Sequence, residues 1–254
     1  MEFVTVQNRR IEYRRIPAPK RTAPVIVFLH EGLGSVALWR DFPQKVVEAT
    51  GYPALVYSRY GYGWSDPLAA PRRVEFMHEE ALQALPELLD KLGIERPILF
   101  GHSDGASIAL IHAGGAQRPL AGVVVMAPHV MVEDITIRSI EAAREAYATT
   151  DLREKLARYH ADVDSAFRGW NDIWLDPAFR EWNIEEYLPR IRCPVLAIQG
   201  EDDEYGTMEQ LERIRRAVPD VELLKLADCR HSPHRDQPQA VIDALVRFVA
   251  RIAS

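Results

Sequence analysis

The stretch Pro97-Ile-Leu-Phe-Gly101-His-Ser103-Asp-Gly105-Ala-Ser-Ile-Ala-Leu-Ile111 decides the architecture. It opens as a short apolar strand and closes as a run of small and apolar residues suited to a helix. Only Gly-His-Ser-Asp-Gly lies between. A turn this tight forces its central residue into strained backbone geometry, and a Cβ at either flanking glycine would collide with the neighbouring strand and helix. The outcome is a serine hydroxyl exposed at a helix N-terminus, where the helix dipole favours developing negative charge. A bare G-x-S-x-G pattern arises by chance in roughly three such chains per hundred, and a glycine-rich turn with an N-capping serine would explain it equally well. The strand before it and the helix after it make Ser103 the candidate nucleophile.

Outward from this segment, short β-branched runs alternate with longer helical patterns, the signature of a mostly parallel sheet covered on both faces. Phe3–Val6 and Arg10–Ile16 read as a hairpin turning near residues 7–9. Pro24–Leu29 reads as a buried strand leading into His30-Glu-Gly-Leu-Gly-Ser35, with a helix from Val36 to Ala49. Ala54–Tyr57 is the next strand, followed by Ser58-Arg-Tyr-Gly-Tyr-Gly-Trp-Ser65 and a helix over Val74–Leu92 closed by Gly93. Val123–Ala127, Val195–Ile198 and Val221–Leu226 are further strands. Helices are expected over Thr207–Ala217 and from about Asp236–Pro238, the last presenting Val241, Leu245, Phe248 and Ile252 on one face. Residues 130–190 carry no strand pattern and read as amphipathic helices holding Trp170, Trp174 and Trp182. The chain is therefore one α/β domain interrupted by a helical insertion.

A formal charge of −6 offers no attraction to nucleic acid or to an anionic membrane. With 47% hydrophobic and 27% charged residues the composition is that of a globular protein rather than a disordered one. No apolar run approaches the roughly 20 residues of a membrane span, and the first residues lack the basic and apolar regions of a signal peptide. Cys193 and Cys229 match neither a disulfide framework nor a zinc site. The expected setting is cytoplasmic, the expected partner a small-molecule substrate, and a homodimer is left open.

A serine hydroxyl needs an adjacent base, and the base needs an orienting acid. Gln199-Gly-Glu-Asp-Asp-Glu204 and Asp228-Cys-Arg-His231 each follow a strand, so their side chains fall at the strand ends where open α/β sheets bind ligands. Asp203 is preferred to Asp202 and Glu201, and His231 to His234. Taken alone, the acidic loop would be a solvated face and the histidines structural. His231 and His234 also have no ligand cluster nearby that would suggest a metal. Acyl transfer also needs two backbone N–H groups facing the developing oxyanion. Asp104 supplies one, and the loop after the first parallel strand supplies the other, with Gly32 preferred to Glu31.

With these pieces in order, the sequence resembles the α/β-hydrolase superfamily over essentially its whole length. The resemblance rests on His30–Ser35, Ser58–Ser65, Gly101–Gly105, Gly200-Glu-Asp-Asp203 and His231-Ser-Pro-His-Arg-Asp-Gln-Pro238. It implies a mostly parallel eight-stranded sheet with helices on both faces, a core of residues 1–129 and 191–254, and a helical cap over 130–190. It further implies a triad of Ser103, Asp203 and His231, an oxyanion hole of Gly32 and Asp104, and no cofactor. Trp170, Trp174, Phe167 and Tyr147 are candidates to line the substrate pocket, although aromatics in a thin helical layer equally pack its core. Two features depart from the pattern. The loop reads His-Glu-Gly where many relatives have His-Gly, and the acidic Asp104 follows the serine, which is expected to disfavour anionic acyl groups.

The leading expectation is hydrolysis of a small carboxylic ester through an acyl-enzyme, with lactone, thioester and amide hydrolysis close to it. The alternative is C–C hydrolysis of the meta-cleavage product type. Epoxide hydrolases and haloalkane dehalogenases use an aspartate nucleophile, so Ser103 argues against both. A non-catalytic binding protein on the same fold is a third reading, distinguished by whether Ser103 reacts with a fluorophosphonate.

Overall fold

The computed structural model describes residues 1–20 and 23–253. β1 (Glu2–Val6) and β2 (Arg9–Ile16) form the expected hairpin, turning through Gln7 and Asn8 at positive φ. β3 (Ile26–Leu29), β4 (Ala54–Tyr57), β5 (Ile98–His102), β6 (Gly122–Met126), β7 (Val195–Gly200) and β8 (Val221–Leu226) follow. They make one eight-stranded sheet in the order β1-β2-β4-β3-β5-β6-β7-β8. β1 and β2 pair antiparallel, as do β2 and β4, and every later pairing is parallel.

The central strands read as unbroken apolar runs because both faces are buried. In β3, Val27 and Leu29 join one core cluster while Ile26 and Phe28 join the other. Against the second cluster lie α1 (Phe42–Thr50), through Val46, and the carboxyl-terminal helix, through Val241, Leu245 and Phe248. The first cluster takes α2 (Phe76–Glu79), α3 (Leu85–Lys91) and α4 (Asp104–Gly115), the last through Ile108 and Ile111. Between β6 and β7 the chain leaves the sheet and forms α5 (Asp134–Thr149), α6 (Leu152–Leu156) and α7 (Val163–Trp174). α8 (Glu209–Ala217), α9 (Pro233–Asp236) and α10 (Pro238–Ile252) complete the chain. No helix among the described residues is long and apolar enough to cross a membrane.

Two expected helices are interrupted. The pattern over Val36–Ala49 splits into a 3₁₀ turn at Ala37–Trp39 and α1, because Arg40 takes a φ of 53° and Pro43 sits in the first turn of α1. The pattern over Val74–Leu92 splits into α2 and α3 around a π-helical turn at Glu80–Ala84. Pro86 lies immediately downstream, lacks an N–H and would crowd the carbonyl four residues back in a regular helix, so the widened turn accommodates it. The helix then ends where expected, at Gly93 with a φ of 68°. In the insertion, strand pairing is limited to an isolated bridge between Met131 and Asn183 among the described residues.

Candidate active site

Ser103 stands between β5 and α4 with a φ of 52°, an uncommon conformation for a residue with a side chain. The flanking glycines make it attainable. A Cβ on Gly101 would strike the Gly105 carbonyl and Ala106, and one on Gly105 would strike the Leu29 and His30 carbonyls. Ser103 N–H donates to the Met126 carbonyl of the adjacent strand at 2.9 Å, which pins the turn to the sheet.

The loops after β7 and β8 bring Asp203 and His231 to the same edge. The Ser103 hydroxyl lies 3.0 Å from His231 Nε2, across 128 positions of sequence. His231 Nδ1 lies 2.7 Å from Asp203 Oδ1, so Nδ1 carries the proton and donates while Nε2 is left to accept from the hydroxyl. Asp203 is held in turn: Oδ1 accepts the Tyr205 N–H at 2.9 Å, and Oδ2 accepts the Gln199 amide at 3.1 Å. Burial alone would raise the Asp203 pKa, but the facing imidazole and these donors bring it below the ordinary carboxylate range, and it stays ionised. Burial pulls His231 down, yet the charge and hydrogen bond of Asp203 leave its pKa raised overall. His231 N–H donates to Glu204 Oε2 at 3.2 Å, and the His231 carbonyl accepts from His102 Nε2 at 2.7 Å, so the backbone beneath the ring is fixed on both sides. His234, the other candidate, packs edge-on against Phe42 and near Trp39 and His102, away from the hydroxyl.

The loop that carries the candidate oxyanion donor Gly32 is braced by two residues outside the predicted set. His30 Nε2 accepts the Arg59 N–H at 3.0 Å, and His30 Nδ1, carrying the proton, donates to the Glu31 carbonyl at 2.6 Å. Burial and the neighbouring Arg59 charge hold the His30 pKa well below its ordinary value, which keeps this single neutral tautomer. The Arg59 guanidinium, fully buried, forks to the His30 carbonyl through Nη1 and to the Glu31 carbonyl at 3.2 Å through Nη2. The Glu31 carbonyl belongs to the peptide unit whose N–H is that of Gly32. The Gly34 N–H also donates to this carbonyl, at 3.1 Å. In a trans peptide the two groups point in opposite directions, so the donors on the carbonyl orient and polarise the Gly32 N–H.

The helical insertion closes over both candidate oxyanion donors. Asp162 caps α7, accepting the Ser165 N–H, and the helix sets Trp170 and Trp174 one turn apart on the same face. The Trp170 indole lies so close to Gly32 that a Cβ there would overlap it. Trp174 Nε1 donates to Asp104 Oδ1 at 3.2 Å. His160 bridges the layers, accepting the Gly63 N–H through Nδ1 and donating to the Leu33 carbonyl through Nε2, each at 3.0 Å.

A cavity of about 190 Å³ lies over the Ser103 hydroxyl, lined by Gly32, Asp104, Trp170 and Trp174 together with Glu31, His129, Ile140, Glu204 and Tyr205. Tyr147 and Phe167, expected to line it, do not. Their rings stack at 3.7 Å and the Tyr147 hydroxyl donates to Asp164, so both belong to the packing of the insertion itself. Sequence reasoning missed Arg59, His30, His129 and Tyr205. His129 sits after β6 between Trp174 and His231, and burial pulls its pKa down to about 3, so it is neutral. Position at a strand's carboxyl end was the available signal for His129; for Arg59 there was only membership of a glycine-rich loop. No group of three or more His, Cys, Asp or Glu side chains able to hold a metal ion occurs among the described residues.

Comparison with known proteins bears on the family and the fold. The chain is 24% identical over 264 residues to mouse (Mus musculus) sn-1-specific diacylglycerol lipase ABHD11, covering 90% of this chain and 82% of the relative. It is 20% identical over 277 residues to 2-hydroxy-6-oxo-6-phenylhexa-2,4-dienoate hydrolase of Burkholderia cepacia, covering 98% and 96% of the two chains. Its fold matches the crystal structure of the enol-lactonase from Burkholderia xenovorans LB400 with a TM-score of 0.75, at 19% identity, over 98% of this chain and all of that one. The profile of the alpha/beta hydrolase family matches residues 26–244, and the chain belongs to that family.

Proposed function

We propose that this hydrolase cleaves small carboxylic esters, or the related lactones and thioesters, through an acyl-enzyme on Ser103. The observation that carries this reading is the hydrogen-bonded series from the Ser103 hydroxyl to His231 at 3.0 Å and from His231 to Asp203 at 2.7 Å. In this scheme His231 Nε2 takes the hydroxyl proton as the oxygen attacks the acyl carbon, and Asp203 stabilises the imidazolium that results. The tetrahedral oxyanion is met by the N–H groups of Gly32 and Asp104. His231 then returns the proton to the leaving alcohol, and water, activated by the same imidazole, releases the acid. Residues 130–190 act as a cap that limits the acyl group through Trp170 and Trp174.

The relationship to a dienoate hydrolase favours C–C hydrolysis as the second reading. Against it stands the acidic character of the cavity, whose lining includes Glu31, Asp104 and Glu204 and, among the described residues, no Lys or Arg to receive a dienoate carboxylate. The test is labelling by a fluorophosphonate probe. Wild type is expected to label and Ser103→Ala not to. A folded wild-type protein that resists the probe would make the chain a binding protein instead.

A further inference from the structure

His160 stands in the link between α6 and α7 and is 3% exposed. Its imidazole engages two core loops at once. Nδ1 accepts the Gly63 N–H and Nε2 donates to the Leu33 carbonyl, each at 3.0 Å. These partners admit a single state of the ring, because a backbone N–H needs the Nδ1 lone pair and a carbonyl needs the proton on Nε2. Burial outweighs the Leu33 carbonyl and the Glu31 charge and lowers the His160 pKa, which favours that neutral form. The next residue strengthens the same seam, Ala161 N–H donating to the Gly63 carbonyl at 2.8 Å. Between His160 and His30 lies the Tyr62 ring, edge-on to both, with centroids at 6.2 and 5.1 Å.

Among the described residues, the bond to Leu33 is the one hydrogen bond between residues 130–190 and residues 30–35. It falls beside Gly32, the candidate oxyanion donor against which the Trp170 indole packs. Trp170 lies two turns beyond Val163, about 10 Å along the axis of α7. The helix therefore meets two successive residues of this loop through contacts set well apart along its length. One contact would leave it free to pivot, and two fix its angle. We propose that His160 is a positioning residue that seats α7 on the loop of Gly32, so that Trp170 limits the acyl group and the Gly32 N–H keeps its place. This rests on the ester-hydrolase reading and adds to it a residue outside the triad on which acyl-chain selection depends. The role involves no proton transfer, since the ring keeps its Nε2 proton throughout.

The test compares wild type with His160→Leu, which removes both bonds, and His160→Gln, whose amide keeps a donor for the Leu33 carbonyl. Hydrogen exchange followed by mass spectrometry reads the seat of α7 independently of catalysis. In His160→Leu the amides of Val163–Trp174 and of residues 30–36 are expected to exchange at least roughly tenfold faster while those of α10 are unchanged, because a donor and an acceptor lose their partners at that seam alone. With p-nitrophenyl esters, kcat for butyrate should fall roughly tenfold. The kcat/KM ratio of octanoate to butyrate should rise at least roughly fivefold as the cavity of about 190 Å³ loses a fixed wall. His160→Gln should lie nearer to wild type than His160→Leu in all three readouts. Equal acceleration over α10 would make His160 a residue of general stability and overturn the proposal. Local acceleration with an unchanged kcat and an unchanged octanoate-to-butyrate ratio would overturn it too. If wild type hydrolyses neither ester, the ester reading fails, and the exchange pattern then decides alone whether His160 seats α7. Should His160→Leu fail to fold, His160→Asn, which keeps an acceptor for the Gly63 N–H and no donor for Leu33, is read by the same outcomes.

Discussion

Replacing Arg59 by lysine tests the bracing of the proposed oxyanion loop. The substitution keeps a buried positive charge but removes the planar fork, and a single ammonium cannot span the His30 and Glu31 carbonyls with the same geometry. Complete loss of one oxyanion donor costs about 2.7–4 kcal/mol in comparable hydrolases. Here the Gly32 N–H remains on the chain and the Glu31 carbonyl of the same peptide unit keeps His30 at 2.6 Å and the Gly34 N–H at 3.1 Å as donors, so only part of that is at stake. One hydrogen bond from a charged donor is worth about 1.5–3 kcal/mol, which converts to a fall in kcat of roughly 10- to 150-fold. The effect should fall on the transition state. KM for p-nitrophenyl butyrate should move little, while the affinity of an alkyl boronic acid, which forms a tetrahedral adduct on the serine, should fall in parallel with kcat. Far-UV circular dichroism and the melting temperature establish that the variant is folded. A folded Arg59→Lys protein with wild-type kcat and wild-type boronate affinity would refute the reasoning. A fall in melting temperature without a fall in boronate affinity would make Arg59 a scaffold residue only.

The two histidines of the last loop should separate cleanly. His231→Ala is expected to lower turnover at least roughly a thousandfold with the fold intact, whereas His234→Ala, which empties a site between Trp39 and Phe42, should cost roughly 2–4 kcal/mol of stability in a denaturant titration and leave activity of the same order. The pH profile follows from the raised pKa of His231: the base works only when neutral, so kcat/KM should fall as pH drops through a midpoint above the ordinary imidazole value of about 6.5. In Asp203→Asn the lowering by burial is no longer opposed by that carboxylate, so the midpoint should move down, and a midpoint that stays or rises would count against the assigned pair.

Much of the fold and part of the site were legible because they depend on short-range chemistry. The passage from Pro97 to Ile111 must be strand, tight turn and helix, since Gly101 and Gly105 tolerate contacts that no side chain would. Ser103, Asp203 and His231 each follow a β-type run, so a parallel sheet necessarily gathers them at one edge. The interruptions of the helical patterns were less legible. Pro43 and Pro86 were visible, but the positive φ of Arg40 and the π turn before Pro86 are accommodations among neighbours that periodicity does not encode.

Tertiary structure decided which side chains meet across the loops. Phe167, Trp170 and Trp174 share the spacing of one helical face, so their burial was readable. That Trp170 and Trp174 line the cavity over the serine while Phe167 stacks on Tyr147 depends on how α7 docks against α5 and over Gly32 and Asp104. Arg59 and His30 are 29 positions apart, and each alone is an ordinary polar residue; only the closed fold excludes water from them and turns their hydrogen bonds into a brace for the Gly32 peptide. The unpaired oxygen of Asp104 is of the same kind. Sequence states that an acidic residue follows the serine, and only the fold buries it beneath Trp174 with Oδ1 on the indole N–H and Oδ2 unbonded.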